Sequence, residues 1–177
     1  STAQMDPFTA VPTLVLICNV KDPVTGKAYT RDPRYIAQKA EAYVKKSGVA
    51  DTIFIGPELE FFFFDSIRFD QNYNSGYYFI DSEAGAWNTG KEGTAEQPNL
   101  GYKPRYKQGY FPVPPMDHLT DLRSEMVKNL IEADVPVEMQ HHEVGTAGQG
   151  EIDIRFDTLL KQADNLMKYK YILKNTA

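Results

Sequence analysis

Two glutamates, Glu58 and Glu60, stand two residues apart in an otherwise apolar, strand-forming run over residues 52–64, Thr-Ile-Phe-Ile-Gly-Pro-Glu-Leu-Glu-Phe-Phe-Phe-Phe. Side chains alternate along a strand, so the two acids share one face with Phe62 and Phe64 and can converge on one ligand. A buried carboxylate is costly unless a cation or hydrogen-bonding partner compensates it, which predicts a neutralising group beside the pair. The competing reading is an edge strand whose two acids face solvent.

A second group is His141-His142-Glu143-Val144-Gly145-Thr146-Ala147-Gly148-Gln149-Gly150-Glu151. Its glycines permit a tight reversal between two strand-like segments, which would return Glu151 beside Glu143. Carboxylates are hard oxygen donors suited to Mg²⁺ or Mn²⁺. A zinc site is disfavoured, because His118 is the only other histidine and no further ligand stands at customary spacing. On residue pattern alone, His141 and His142 read as strand residues with satisfied hydrogen bonds. No glycine loop ending in Lys-Ser or Lys-Thr is present, and Gly145–Gly150 does not match the dinucleotide fingerprint, so a nucleotide needs another architecture. Ser47, Ser66 and Ser75 lack the setting of a catalytic nucleophile.

The elements that must carry these acids follow from periodicity. Residues 12–20, Pro-Thr-Leu-Val-Leu-Ile-Cys-Asn-Val, read as a buried strand, with Cys18 packed inside it. Asp32 before Pro33 is an N-cap followed by proline at the first helical position. Ile36, Ala40, Tyr43 and Val44 then recur at helical spacing until Gly48. Residues 52–64 read as strand, bend at Gly56-Pro57, and strand. Residues 65–115, which include Trp87, read as long loops with short strands. Leu119, Leu122, Met126, Val127, Leu130 and Ile131 define a second helix, and Leu159, Leu160, Ala163, Leu166 and Met167 open a third. Strands are expected at Val135–Glu143 and Glu151–Phe156.

With 177 residues, 42% hydrophobic and 24% charged, the composition is that of a globular chain with one ordinary core. A net charge of -5 and a pI near 5.2 offer no basic field to nucleic acid. No apolar run approaches the roughly 20 residues that cross a bilayer. Together with the single cysteine, these features lead to the expectation of a cytoplasmic protein.

Taken in order, Gly56-Pro57-Glu58-Leu59-Glu60-Phe61-Phe62, Gly109-Tyr110-Phe111-Pro112-Val113-Pro114-Pro115 and the His141–Glu151 segment resemble the bacterial glutamine synthetases. Arg31-Asp32-Pro33-Arg34, Gly85-Ala86-Trp87-Asn88, Arg123-Ser124-Glu125-Met126 and Tyr169-Lys170-Tyr171 extend the resemblance over the whole chain. The insertion between Phe64 and Gly109 resembles the subclass regulated by adenylylation. Leu59, where the motif usually has proline, and Gly150, where asparagine is common, depart from the pattern without removing a ligand.

The resemblance implies an α+β fold, a curved antiparallel sheet backed by helices, with residues 1–177 forming part of the catalytic domain. The amino-terminal β-grasp domain would precede Ser1. The remaining metal, substrate and gating residues, and the modified tyrosine, would follow Ala177. It implies ligation of ammonia to L-glutamate, with ATP forming γ-glutamyl phosphate on the way. Glu60, Glu143 and Glu151 would ligate the metal facing the glutamate carboxylate, and Glu58 the metal bridging ATP phosphates. Glu138 and Phe156 match nucleotide-site positions and Tyr110 a substrate-region position. Ideal alternation puts Glu138 and Glu143 on opposite strand faces, so a bulge or twist is needed for both to serve one site. The implied partners are L-glutamate, ammonia, ATP, further subunits of a dodecamer and an adenylylating enzyme. Two other readings are a non-catalytic metal-binding or assembly module and a ligase joining glutamate to another amine.

Overall fold

The computed structural model describes residues 2–145 and 147–177; Ser1, and Thr146 within the glycine-rich reversal, lie outside the described residues. Nine strands and three α-helices follow in the order β1 (Gln4–Met5), β2 (Leu14–Val15), α1 (Pro33–Ser47), β3 (Phe54–Ile55), β4 (Glu60–Phe62), β5 (Ser66–Gln71), β6 (Gly76–Asp81), α2 (Thr120–Glu132), β7 (Val137–His142), β8 (Gln149–Ile154), β9 (Asp157–Thr158) and α3 (Leu159–Thr176) among the described residues. The strands form the pairs β1-β2, β3-β9 and β5-β6 and the three-stranded sheet β4-β8-β7, with antiparallel registers. This is the α+β, antiparallel class expected from the sequence.

The chain divides into two compact units. The first gathers residues up to Pro57, Met126–Glu138 and Ile154–Thr176. Its α1 begins as the sequence dictates: the Asp32 carboxylate accepts from the Arg34 N–H at 3.1 Å, Pro33 occupies the first turn, and Gly48 closes the helix at φ 73°, a left-handed conformation that glycine adopts without a Cβ penalty. The second carboxylate oxygen of Asp32 accepts from the Val20 N–H at 3.0 Å, tying the preceding loop to the cap. The Arg34 guanidinium grips Asp164 of α3 with two bonds, 2.8 and 3.0 Å. Leu130, Val135, Ile154, Tyr169 and Ile172 form the buried core here. Buried Lys168 donates to the Ala133 carbonyl at 3.1 Å, and burial holds its ammonium below the usual lysine range.

Residues 12–20 do not form the buried strand expected. Only Leu14–Val15 pair, with β1, and Cys18 is exposed. The run is apolar enough for a strand, but its only ladder partner among the described residues is two residues long, and pairing rather than hydropathy decides strand length.

The second unit comprises Glu58–Glu125 and Met139–Asp153. Its β5-β6 hairpin pairs six residues with six, from Ser66↔Asp81 to Gln71↔Gly76, and turns through Asn72–Ser75, where the Asn72 N–H donates to the Ser75 carbonyl. Ahead of α2, buried Asp117 accepts from the Leu119 N–H at 3.1 Å and the Thr120 hydroxyl at 2.6 Å. Arg123, 1% exposed, returns from α2 to pair with Asp117 and donates to Gln140 at 2.6 Å. Burial pushes the Asp117 carboxyl up, but the Arg123, Thr120 and Leu119 donors outweigh it and hold the group below its ordinary range.

Candidate metal centre

The reversal from β7 into β8 does return Glu151 beside Glu143. The Glu143 N–H donates to the Gln149 carbonyl at 2.9 Å, so the ladder closes immediately beyond β7, and Ala147 at φ 65° and Gly148 at φ 83° make the turn. On the other side of β8, β4 pairs in the register Glu60↔Glu151, Phe61↔Gly150 and Phe62↔Gln149. Cross-strand partners share a face, so Glu60, Gln149 and Glu151 are neighbours on one surface.

Ligand atoms of His141, Glu143 and Glu151 all lie within 4.8 Å of one another, and all three residues are buried. His141 Nε2 stands 3.5 Å from a Glu151 carboxylate oxygen, and Nδ1 3.6 Å from Glu143 Oε1. Nδ1 is also 3.2 Å from the His142 carbonyl. A carbonyl only accepts, so Nδ1 is the donor in that contact and Nε2 is the ring atom that faces Glu151. The other oxygen of Glu143 accepts from the Val144 N–H at 2.8 Å. Burial, reinforced by Asp153 and Glu143, pushes the Glu151 carboxyl up to about 7. Buried carboxyls crowded together beside an imidazole form a pocket that a cation would relieve. Carboxylate oxygens suit Mg²⁺ or Mn²⁺ and an imidazole suits first-row transition ions, so the donor set fits a divalent cation.

A neighbouring loop braces the histidines. Phe111 stacks on the His141 ring at 4.3 Å and 24°, and Tyr110 meets it edge-on at 5.7 Å. The His142 Nδ1 donates to the Gly109 carbonyl at 2.8 Å and the Glu143 carbonyl at 2.7 Å, while its Nε2 is buried without a hydrogen-bond partner. Gly109 lies so close that a Cβ there would sit 2.6 Å from the Glu143 carbonyl oxygen and 2.8 Å from the His142 ring; only glycine admits this approach.

The sequence-derived residues fall into distinct settings. Glu143 and Glu151 are in the cluster. Glu60 opens β4 opposite Glu151, but its carboxylate accepts from the Gln149 amide at 2.6 Å. Glu58 precedes β4, an edge strand of its sheet, and both Glu58 and Glu60 are exposed, so the edge-strand reading holds and the expectation of a buried acid pair does not. The apolar neighbours that suggested burial instead pair among themselves, Phe61 edge-on to Phe63 and Phe62 stacked on Phe64. Tyr110 is exposed beside His141. Glu138 and Phe156 belong to the first unit. There Glu138 pairs with Arg155 at 3.3 Å, and Phe156 packs edge-on against Phe54 at 5.7 Å. His141 is the residue that sequence reasoning missed. The available signal was its spacing: two residues before Glu143 on one strand, it shares the face of that acid.

Among the described residues, then, the His141, Glu143 and Glu151 group is the one set of three or more such side chains arranged as a cation site, and it stands on an antiparallel α+β scaffold. The model of the glutamine synthetase catalytic domain matches residues 30–177, and the chain belongs to that family. It is 57% identical over 177 residues to the glutamine synthetase of Nostoc sp. and 56% identical over 177 residues to that of Streptomyces coelicolor. In both comparisons the match covers 100% of this chain and 37% of the relative. The chain therefore spans well under half the length of the curated relatives it matches. Among solved structures, a Plasmodium falciparum glutamine synthetase superposes with a TM-score of 0.84 at 30% identity, covering 99% of this chain and 34% of that one. A glutamine synthase homolog matches at a TM-score of 0.61 and 14% identity, a likeness of fold alone. No helix is long and apolar enough to cross a membrane among the described residues.

Proposed function

We propose that this chain is the metal-binding part of an ATP-dependent glutamate–ammonia ligase. The observation that carries the reading is the buried His141–Glu143–Glu151 cluster within a chain of the glutamine synthetase catalytic family. In the reaction, a glutamate side-chain carboxylate oxygen attacks the γ-phosphorus of ATP and ADP leaves. Ammonia then attacks the acyl carbon, inorganic phosphate leaves, and a proton is lost to give glutamine.

Bound Mg²⁺ or Mn²⁺ supplies positive charge against the carboxylate and phosphoryl oxygens in this chemistry. Glu60, Glu143 and Glu151, with His141 beside them, would hold an ion that counters charge on the substrate carboxylate, and Glu58 would hold one that counters charge on the ATP phosphates. The β7-β8 reversal brings Glu143 and Glu151 together through backbone pairing, which lowers the ordering cost of binding. Tyr110, whose ring lies beside His141, is the proposed substrate-region residue, and Glu138 and Phe156 are the proposed nucleotide-site residues.

The same reading places the protein in the cytoplasm as a homo-oligomer of the adenylylation-regulated subclass. Its test is ¹⁵N-ammonium incorporation into glutamine, with glutamate and ATP supplied, by the full-length enzyme that contains this segment. Wild type should form labelled glutamine and Glu143→Gln should fall to background. Undiminished turnover in Glu143→Gln would overturn the assignment.

A further inference from the structure

Gln149 is buried, and both ends of its side-chain amide are engaged. Its Nε2 donates to Glu60 Oε2 at 2.6 Å, and its Oε1 accepts from the Gly145 N–H at 2.6 Å. One amide thus joins the acid at the start of β4 to the glycine-rich turn that returns Glu151 beside Glu143. Gly145 is fitted to this contact, since a Cβ there would stand 2.5 Å from Gln149 Oε1.

We propose that Gln149 is a positioning residue for the metal centre, acting through Glu60. The inference rests on the metal-centre reading above. Glu60 faces Glu151 across the β4-β8 ladder and is exposed, so its own packing does little to fix its carboxylate. A neutral donor on the adjacent same-face position of β8 does so instead. A carboxylate has about four acceptor sites on its two oxygens, so one hydrogen bond from Gln149 leaves Glu60 free to ligate. The Gln149 amide gives to Glu60 and accepts from Gly145 at once; a carboxylate at this position would satisfy Gly145 and repel Glu60. Partners of this kind, which orient a metal ligand without touching the ion, typically account for about 10–100-fold in metal affinity.

The test is a double-mutant cycle read by Mn²⁺ binding, using calorimetry or the loss of the free-ion electron paramagnetic resonance signal, on the chain with Gln149→Met, Glu60→Gln and both. Hydrogen exchange at the Gly145 amide serves as a metal-free readout. Gln149→Met should weaken Mn²⁺ binding about 10–100-fold and speed Gly145 exchange, and should cost no further affinity in the Glu60→Gln background. Wild-type affinity in Gln149→Met would overturn the positioning role. So would an equal loss in both backgrounds, which would mark a structural residue acting independently of Glu60. Absence of Mn²⁺ binding by the wild-type chain would overturn the metal-centre reading and this inference with it.

Discussion

Replacing Glu151 by glutamine should stabilise the metal-free chain at alkaline pH while damaging the centre. The carboxyl is buried beside Asp153 and Glu143 and is pushed from 4.5 to about 7. A folded-state value raised above the unfolded one means that the folded chain binds the proton more tightly. The corresponding stability is fully present below about pH 4.5 and is lost as pH rises through about 7. At roughly 1.4 kcal/mol per pH unit, the displacement corresponds to about 3 kcal/mol. Because the charge is shared with Glu143 and Asp153, the fraction recovered by one substitution is about 1–3 kcal/mol. A glutamine side chain resembles the protonated acid in shape and charge, so wild type and Glu151→Gln should be matched near pH 4.5 and diverge toward pH 8. The assay is urea unfolding followed by circular dichroism in excess chelator at the two pH values. A variant no more stable than wild type at pH 8, or an equal difference at both values, would refute the claim that electrostatic crowding sets the cost of this cluster.

Three further substitutions follow from the geometry. Gly109→Ala would place a methyl group 2.6 Å from the Glu143 carbonyl oxygen; a loss of about 1–3 kcal/mol is expected from overpacking, measurable as a lowered unfolding midpoint together with weaker Mn²⁺ binding. Arg123→Met removes the partner of buried Asp117 and should cost about 3–5 kcal/mol, with part of the loss recovered in thermal melts of the Asp117→Asn, Arg123→Met double variant. Asp32→Ala removes the α1 cap and its bond to Val20, for which about 0.5–2 kcal/mol is expected, seen as faster amide exchange in the first turn of α1.

Elements with local punctuation were legible in the sequence. Asp32-Pro33 and Gly48 bound α1 because capping and left-handed glycine are decided within a few residues. The Glu143–Glu151 reversal was legible because its glycines permit a tight turn, and Gly148 takes the left-handed conformation there, as Ala147 does beside it. The burial of Glu58 and Glu60 was misjudged because their phenylalanine neighbours satisfy one another, and no short-range pattern tells a stacked pair from a core. The length of the strand around Cys18 depends on its ladder partner, which no pattern within the run itself reveals. The β5-β6 hairpin was obscured by tyrosine- and asparagine-rich composition, although Asn72–Ser75 supplies its turn. His141 escaped because an adjacent histidine pair reads as strand filling until β8 places Glu151 against one of the two.

A divalent-cation centre on His141, Glu143 and Glu151 should be visible in Mn²⁺ titration by calorimetry. Wild type, Glu143→Gln and His141→Ala should be compared at pH 6 and pH 8. Binding should be stronger at pH 8, because a proton held with a value of about 7 on Glu151 must leave when the ion enters. It should be largely lost in Glu143→Gln and weakened in His141→Ala. Equal binding by all three proteins, or affinity that does not change between the two pH values, would rule out a cation centre on these side chains.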